Sequence, residues 1–159
     1  MGGLSLLIAH VGKPRLPFVR QGIEHFRDKI QTLATLRLLP VREEPLRKGT
    51  AAPEVQRRER ERILKVMDRR YRWVVLSDKG RGCNSPELAA LLETWMLQGR
   101  SRVGFLVAGP CGLAPEPLGG ADLVLSLSPL TLSHELTMLV LLEQIYRALA
   151  VLNRLPYPR

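Results

Sequence analysis

Residues 125–159, LSLSPLTLSHELTMLVLLEQIYRALAVLNRLPYPR, decide how the rest of the chain is organised. The segment begins as a buried strand, continues through a loop of small and hydroxyl residues, and ends in a long helix with an aromatic and basic tail. Ser133 or Thr131 can cap this helix, because a side-chain oxygen there accepts a hydrogen bond from a free N–H of the first turn. Glu135 then stands at the positive end of the helix dipole.

The surface of this helix is apolar on most sides. Its polar residues form only a narrow stripe, which consists of Glu143, Gln144, Arg147 and Arg154. A helix of this kind needs cover on more than one side. We therefore expect a second subunit to supply part of that cover, which predicts a homodimer.

The length and composition predict one folded domain spanning residues 1–159. A chain of 159 residues has room for one sizeable core, and a hydrophobic content of 45% excludes general disorder. The apolar runs are too short to span a bilayer, so no membrane contact is expected. The start, MGGLSLLIAHVGK, lacks the basic region of a signal peptide, which predicts a cytoplasmic protein.

The net charge of +9 favours a polyanionic partner such as RNA, because lysines and arginines that neutralise phosphates release counterions. Lys13, Arg15 and Arg154 are the candidate RNA contacts. The arginines of a charged helix over residues 53–67 and of the residues that follow it either contact phosphates or form a solvated face, and the sequence leaves both interpretations open. These arginines are residues 57, 58, 60, 62, 69, 70 and 72.

The two cysteines, Cys83 and Cys111, lie in different loop contexts without CxxC spacing. This pattern is typical of free thiols. The three histidines also lack the neighbours that a metal site would need, so no metal is expected.

Strand and helix patterns alternate along the chain. Five apolar runs, at residues 4–10, 36–41, 73–76, 103–108 and 123–127, are separated by segments with helical spacing or turn composition. Runs without period-two alternation are typical of a mainly parallel sheet that is covered on both faces. The turn after the first run, HVGKPRLP, is not a GxGxxG turn, which counts against a flavodoxin-like nucleotide-binding domain.

Ligands of open parallel sheets bind beyond the carboxyl ends of the strands. Three such ends carry suggestive residues here: residues 76–78, the AGPCG loop at 108–112, and the SLSPLT loop at 126–131. Glycines in the second loop let a ligand approach the main chain. The third loop offers hydroxyl donors and acceptors suited to an adenine or an amino-acid group, and Leu76, Leu127 and Leu130 could sandwich an aromatic ring.

The segments FLVAGPCGLAPE and LSLSPLTLSHELTMLVLLEQIYRALAVLNRLPYPR resemble the RlmH (YbeA-like) family of SPOUT methyltransferases. In that family a GGPxG loop precedes an SLSxLTxxH segment and a YRA helix that ends in PYHR. The similarity covers essentially the whole chain, including VGK near the start and the SPELAxxLxxW helix, and is most specific in the last third.

The resemblance implies a SPOUT α/β-knot: a mainly parallel sheet of five to six strands, helices on both faces, and a C-terminal trefoil knot over roughly residues 103–155. It also implies a homodimer that binds S-adenosylmethionine in the knot loops and methylates N3 of a pseudouridine in 23S ribosomal RNA on the assembled ribosome. By position, the cofactor pocket would contain Leu76, Gly109, Leu125, Ser126, Leu127, Ser128, Leu130 and Thr131.

The tail departs from the family pattern, because Pro158 replaces the histidine of PYHR. The target N–H must lose its proton, and a histidine would be a natural base. We assign catalytic roles to Arg159, which could stabilise the deprotonated base, and to Tyr157, which could stack on it. Water or another side chain stays open as the proton acceptor, and the position of His134 at a helix start favours a structural role.

A second departure is Cys111, which stands where the family commonly has the glutamate of GGPEG. The reaction needs no covalent intermediate, so the thiol is not expected to act as a nucleophile. Together the two departures leave an alternative function, that of a catalytically impaired SPOUT homologue that binds RNA or the ribosome.

Overall fold

The computed structural model describes residues 3–157, apart from the side chain of Leu118. Five strands alternate with helices along the described chain, as the sequence predicts, and a short helix, α4, was not predicted. The elements are β1 (Ser5–Val11), α1 (Pro17–Gln31), β2 (Thr35–Val41), α2 (Ala52–Val66), β3 (Arg72–Gly82), α3 (Ser85–Leu97), β4 (Arg102–Val107), α4 (Pro115–Gly119), β5 (Leu123–Ser126) and α5 (His134–Leu152).

The five strands form one sheet in the order β2-β1-β4-β3-β5. All four strand pairings are parallel, which confirms the predicted α/β class with a parallel sheet. The order places β4, β3 and β5 side by side, so their carboxyl ends meet at one edge. The three loops that the sequence analysis singled out are therefore neighbours.

Helices cover both faces of the sheet. On one face, buried residues of α1, α3 and α5 pack with β-strand residues such as Ile8, Val74 and Phe105. On the other face, Ile63 of α2 packs against Leu7, Val75 and Leu106. Strands buried on both faces read as continuous apolar runs, which explains why no period-two alternation was visible in the sequence.

Helix α5 lies between α1 and α3, and these two helices cover much of its apolar surface. Gly22 of α1 permits the close approach, since a Cβ there would be 2.6 Å from Cδ1 of Leu139. Leu136 and Val151 of α5 remain 37% and 58% exposed. The chain itself thus supplies more of the cover than the sequence suggested, and cover by a second subunit stays a prediction for the remaining face.

The structure decides between the possible helix caps. Ser133, and not Thr131, caps α5, because its hydroxyl oxygen accepts from the N–H of Leu136 at 3.3 Å. For α3, the sequence Ser85-Pro86 predicts a cap at Ser85, but the cap is the residue before it. The Asn84 side chain accepts from the N–H of Glu87, and the Glu87 carboxylate accepts from the N–H of Asn84 in return. This reciprocal pair satisfies two N–H groups of the helix start.

Strand β3 is longer than the predicted run at 73–76. Leu76 and Arg81 both pair with Leu125, so residues 77–80 form a bulge that projects from the ladder. Gly80 crosses the main chain of β5 closely: a Cβ at this position would lie 2.6 Å from the carbonyl carbon of Leu125. Only glycine fits there, and the bulge carries Ser77, Asp78 and Lys79 to the edge of the sheet where the strand ends meet.

Among the described residues, no helix combines the length and the hydropathy needed to cross a bilayer.

Candidate active site

A cavity of about 700 Å³ opens at the shared carboxyl edge of β3, β4 and β5. All eight residues predicted for the cofactor pocket line it: Leu76, Gly109, Leu125, Ser126, Leu127, Ser128, Leu130 and Thr131. The structure therefore brings together three loops that are up to about fifty residues apart in sequence. A cavity of this size is within the range that small ligands and cofactors occupy.

The cavity has an apolar floor and a polar rim. Leu76 and Leu125 are 5% and 0% exposed and form the floor, whereas Leu130 is 76% exposed at the mouth. Asp78 and Lys79 of the β3 bulge also line the opening. The combination suits a ligand with a flat aromatic part and a charged or polar end.

The hydroxyls of the loop after β5 shape the loop itself. The Ser126 hydroxyl donates to the Ser128 carbonyl at 3.0 Å, and the Ser128 hydroxyl oxygen accepts from the N–H of Leu130 at 2.9 Å. We expected both hydroxyls to serve a ligand. Because each hydroxyl already makes a hydrogen bond within the loop, both stabilise the conformation of the loop. Only their remaining donor or acceptor capacity is available to a ligand.

The loop after β4 reaches the cavity with its main chain. A Cβ on Gly109 would lie 3.0 Å from Cγ1 of Val11, which is buried, so a side chain has no room behind the loop. Gly112 closes the turn by donating its N–H to the Gly109 carbonyl at 3.0 Å. The tight turn presents peptide groups to the cavity, which a ligand can approach closely.

Gln56 of α2 also lines the cavity, although the sequence did not predict it as a site residue. Its side-chain Nε2 donates to the Cys111 carbonyl at 2.6 Å. The residue lies in a helix whose charge pattern indicates a solvated surface, so the sequence carries no signal for it. Thr137 and His134 at the start of α5 complete the wall, and neither was predicted as a pocket residue.

The loop between β1 and α1 is tied to the start of α5. The Glu135 carboxylate, which is 8% exposed, accepts from the N–H of Arg15 at 2.9 Å and from that of Leu16 at 3.0 Å. These two hydrogen bonds lower the pKa of Glu135. The anchor holds the predicted RNA contacts Lys13 and Arg15 beside the cavity, with both side chains exposed.

Two histidines lie close to this anchor. His10 is buried, and its Nδ1–H donates to the Gly12 carbonyl at 2.7 Å. Burial lowers the pKa of His10, so its imidazole is neutral at physiological pH. His134 lines both the large cavity and a small crevice that His10 shares. Its half-buried position at the helix start agrees with a structural role and also leaves it within reach of a ligand.

Tyr157 does not line the cavity of its own chain. The Tyr157 hydroxyl donates to Glu143 at 3.1 Å, and the Tyr157 ring lies under the Arg147 guanidinium, 4.6 Å from its centroid. Glu143 is nine residues beyond the start of α5, roughly 13 Å along the helix axis. Burial and the bond to Glu143 raise the pKa of Tyr157.

Two further predicted site residues are also away from the cavity or not described. Arg154 follows α5, a helix of 19 residues, and is therefore about 28 Å along its axis from the end that anchors Arg15. The chain thus separates Arg154 from Lys13 and Arg15. Arg159, like Pro158, lies outside the described residues.

Most arginines of α2 and of the residues after it are committed to carboxylates. Arg58 and Arg62 bind Glu44, Arg60 binds Glu116, and Arg70 and Arg72 bind Asp68 and Asp122. Arg57 and Arg69 are exposed and have no ion-pair partner within residues 3–157. Each of the two interpretations, phosphate contact or solvated face, therefore fits a different subset of these arginines. The paired arginines form a structural network, whereas Arg57 and Arg69 are free to contact phosphates.

Across residues 3–157 there is no cluster of three or more histidine, cysteine or carboxylate side chains that could hold a metal. The main chain, the leucine floor and the rim charges of the cavity are suited to positioning an organic ligand.

The chain is similar to a known family along almost its whole length. The family model described as "Predicted SPOUT methyltransferase" matches residues 4–158. A relative from Acetivibrio thermocellus, named ribosomal RNA large subunit methyltransferase H, is 35% identical over 98% of this chain and 100% of its own length. A relative of the same name from Geobacter metallireducens is 37% identical over 97% of this chain and 98% of its own.

Solved structures agree on the fold. The tRNA (m1G37) methyltransferase from Aquifex aeolicus superimposes with a TM-score of 0.55 at 14% identity, covering 98% of this chain and 75% of that one. A structure that concerns 2-OH methylation of C/U34 on tRNA gives a TM-score of 0.54 at 15% identity, covering 94% of both chains. At these identities the likeness concerns the fold alone.

Proposed function

This chain belongs to the SPOUT methyltransferase family, and we propose that it transfers a methyl group from S-adenosylmethionine to large-subunit ribosomal RNA. The specific product is the N3-methyl derivative of a pseudouridine in 23S RNA, formed on the assembled ribosome in the cytoplasm. The whole chain acts as one domain, with its C-terminal part threaded through a trefoil knot.

The observation that carries the proposal is the cavity at the edges of β3, β4 and β5. Its leucine floor accepts the adenine, and the tight turn after β4 presents its peptide groups to the cavity, because a side chain on Gly109 has no room on the far side of the turn. The rim residues Asp78 and Lys79 can bind the charged amino-acid end of the donor. Full-length relatives named as ribosomal RNA methyltransferases support the same assignment.

The donor supplies an activated methyl group on a sulfonium, so the protein's task is to position the target for an in-line displacement. The cavity walls exclude water and hold the donor in one orientation. The target N–H must also lose its proton, and a nearby cation lowers that cost. Arg159 is our candidate for that role, with Tyr157 stacking on the target base.

Because Tyr157 packs against the middle of α5 and away from its own cavity, we propose that the tail serves the cavity of a second subunit. The part of α5 that is not fully buried offers the contact surface, which includes the exposed Leu136 and the half-buried Val140. The homodimer would then be needed for methylation and not only for stability.

Leu136→Glu tests the dimer. Leu136 is 37% exposed, so the monomer should tolerate the charge, whereas a buried unpaired carboxylate at a dimer seam is strongly unfavourable. Light scattering should show the mass falling from twice 17.9 kDa to 17.9 kDa, with methylation lost. Leu97→Glu is the matched control, since Leu97 is 81% exposed on α3. A wild-type chain that is monomeric at working concentrations would refute the dimer.

Salt dependence tests the RNA contacts. If about four phosphates are neutralised by residues such as Lys13, Arg15, Arg57 and Arg69, ribosome affinity should fall on the order of 50-fold between about 50 mM and about 200 mM salt. Arg57→Ala should make the fall of affinity with salt less steep, by the share of about one phosphate contact. Arg58→Ala should leave the salt dependence unchanged, because Arg58 is already paired with Glu44 and Glu54. Affinity that is independent of salt would exclude a phosphate-binding surface.

Transfer of labelled methyl groups to ribosomes from cells that lack this gene tests the reaction itself. Calorimetry with S-adenosylmethionine first establishes whether the donor binds. Binding of donor and ribosome without methyl transfer would favour the alternative, an RNA-binding homologue with impaired catalysis. Pro158 and Cys111, the two departures from the family pattern, are the reason for this alternative.

A further inference from the structure

Helix α2 packs on the sheet through a buried stripe that contains an acid. Val55, Glu59 and Ile63 are 2%, 1% and 1% exposed. Burial raises the pKa of the Glu59 carboxyl above its ordinary value, although the carboxyl accepts a hydrogen bond from the N–H of Glu44 at 2.9 Å. A leucine at this place would avoid the cost of burying an ionisable group but would leave the N–H of Glu44 without this acceptor. Apolar packing of α2 on the sheet therefore does not account for the glutamate.

The Glu59 carboxyl lies directly behind the loop that follows β4. Its Oε2 is 3.8 Å from the position that a Cβ on Gly109 would occupy. Its Oε1 is bound to the N–H of Glu44, and that bond fixes the direction of the side chain. Glu59 thus fills the space between α2 and the first residue of the turn at 109–112.

Gln56 lies one turn earlier on the same helix and holds the other part of this turn. Its Nε2 donates to the Cys111 carbonyl at 2.6 Å, and the assignment of nitrogen and oxygen is settled because a carbonyl can only accept. Residues three apart on a helix share one face. One face of α2 therefore supports Gly109 from behind and pins Cys111 from the side.

We propose that Gln56 and Glu59 are positioning residues that preset the turn at 109–112 for the methyl donor. This inference rests on the proposed function, because it names how that cavity is kept in its binding geometry. A turn that is already ordered loses little conformational entropy when the donor binds, and the affinity for the donor is correspondingly higher. The two residues act through the turn and not by chemistry on the methyl group.

Gln56→Leu removes the bond to Cys111 at similar volume. The affinity for S-adenosylmethionine, measured by calorimetry, should fall about 5- to 10-fold, the equivalent of one hydrogen bond. In methyl transfer the KM for the donor should rise while kcat at saturating donor stays constant. Gln56→Asn, whose side chain is too short to reach the Cys111 carbonyl, should show the same loss of affinity. It replaces Gln56→Leu in the test if the leucine variant does not fold. Glu61→Leu, at an exposed position of the same helix, should change nothing.

The two variants of Glu59 separate positioning from charge. Glu59→Gln keeps the volume and an acceptor for the N–H of Glu44, so donor affinity should stay within about 2-fold of wild type. Glu59→Ala empties the space behind Gly109 and should lower affinity about as much as Gln56→Leu does. Equal loss in both variants would overturn the positioning role, since only the carboxylate's charge would then matter.

Amide hydrogen exchange of the protein without donor provides a readout that does not depend on the proposed function. The Gly112 N–H, bonded to the Gly109 carbonyl, should exchange about 10-fold faster in Gln56→Leu. Faster exchange would support the positioning role even if wild-type protein failed to bind S-adenosylmethionine, in which case the proposed function alone would fail. Unchanged exchange in both Gln56 variants would overturn the positioning role, whatever the affinities.

Discussion

Gly109→Val is expected to abolish S-adenosylmethionine binding in a protein that remains folded. The new Cβ would lie 3.0 Å from Cγ1 of Val11, which is 3% exposed and fixed in the core. The loop is the part that can move, so the added methyl groups push it outward into the cavity. Overpacking of this kind costs about 1–3 kcal/mol, which is less than the stability of an ordinary domain.

The displaced loop takes up space in the cavity that the donor needs, and a ligand of fixed shape cannot adapt to the smaller space. The expected loss of donor affinity is therefore on the order of 100-fold or more. Calorimetry measures the affinity, and thermal unfolding shows whether the protein is still folded. Gly119→Val is the matched control, since no atom lies within 4 Å of a Cβ at that position. Affinity within a few-fold of wild type in a folded Gly109→Val protein would show that the donor binds elsewhere.

Deletion of residues 157–159 is expected to preserve donor binding and to lower methyl transfer on the order of 100-fold or more, as the loss of groups that position or stabilise the reacting base does. Tyr157 is roughly 13 Å along α5 from the cavity end of the helix, so its removal leaves the lining residues in place. Calorimetry and methyl transfer to ribosomes separate the two effects. Full turnover by the shortened protein would exclude a catalytic tail.

A mixture of the two defective chains tests whether the tail acts across the dimer. A dimer of one Gly109→Val chain and one chain without residues 157–159 has one intact cavity, and the intact tail belongs to the other chain. If each tail serves its partner's cavity, mixing should restore a substantial fraction of the activity that neither variant has alone. Formation of mixed dimers without recovered activity would show that each tail serves its own chain.

The parallel sheet could be predicted because its strands are buried on both faces and appear as uninterrupted apolar runs. The second part of β3 could not, since residues 77–82 are polar and glycine-rich, and only pairing with β5 holds them in the ladder. The start of α3 was misjudged because Asn84 and Ser85 are both good caps. The choice between them depends on the reciprocal bond with Glu87.

The cavity shows a similar division between what the sequence reveals and what it does not. Strand ends in a parallel sheet converge on one edge, so the residues of three loops could be grouped without a structure. Gln56 reaches the cavity only because α2 packs beside the loop after β4, and no local pattern records that packing. The packing of α1 and α3 on α5 is likewise a tertiary contact. The apolar surface of α5 shows that the helix is covered but not which elements cover it.

The structure also explains how the loop after β4 accommodates the departure at Cys111. Gln56 binds the carbonyl of Cys111, and a main-chain carbonyl is present whatever the side chain is. Replacement of an acidic residue by cysteine therefore leaves this contact in place. The bond from Gln56 to the turn therefore does not depend on a carboxylate at this position.

The reaction that we propose for this chain is the methylation of a pseudouridine in large-subunit ribosomal RNA. Mass spectrometry of nucleosides from that RNA tests it most directly, in cells with the gene, without it, and with it restored. We predict that N3-methylpseudouridine is present, then absent, then present again, and that a gene carrying Gly109→Val does not restore it. An unchanged nucleoside profile in cells that lack the gene would show that the chain does not catalyse this reaction.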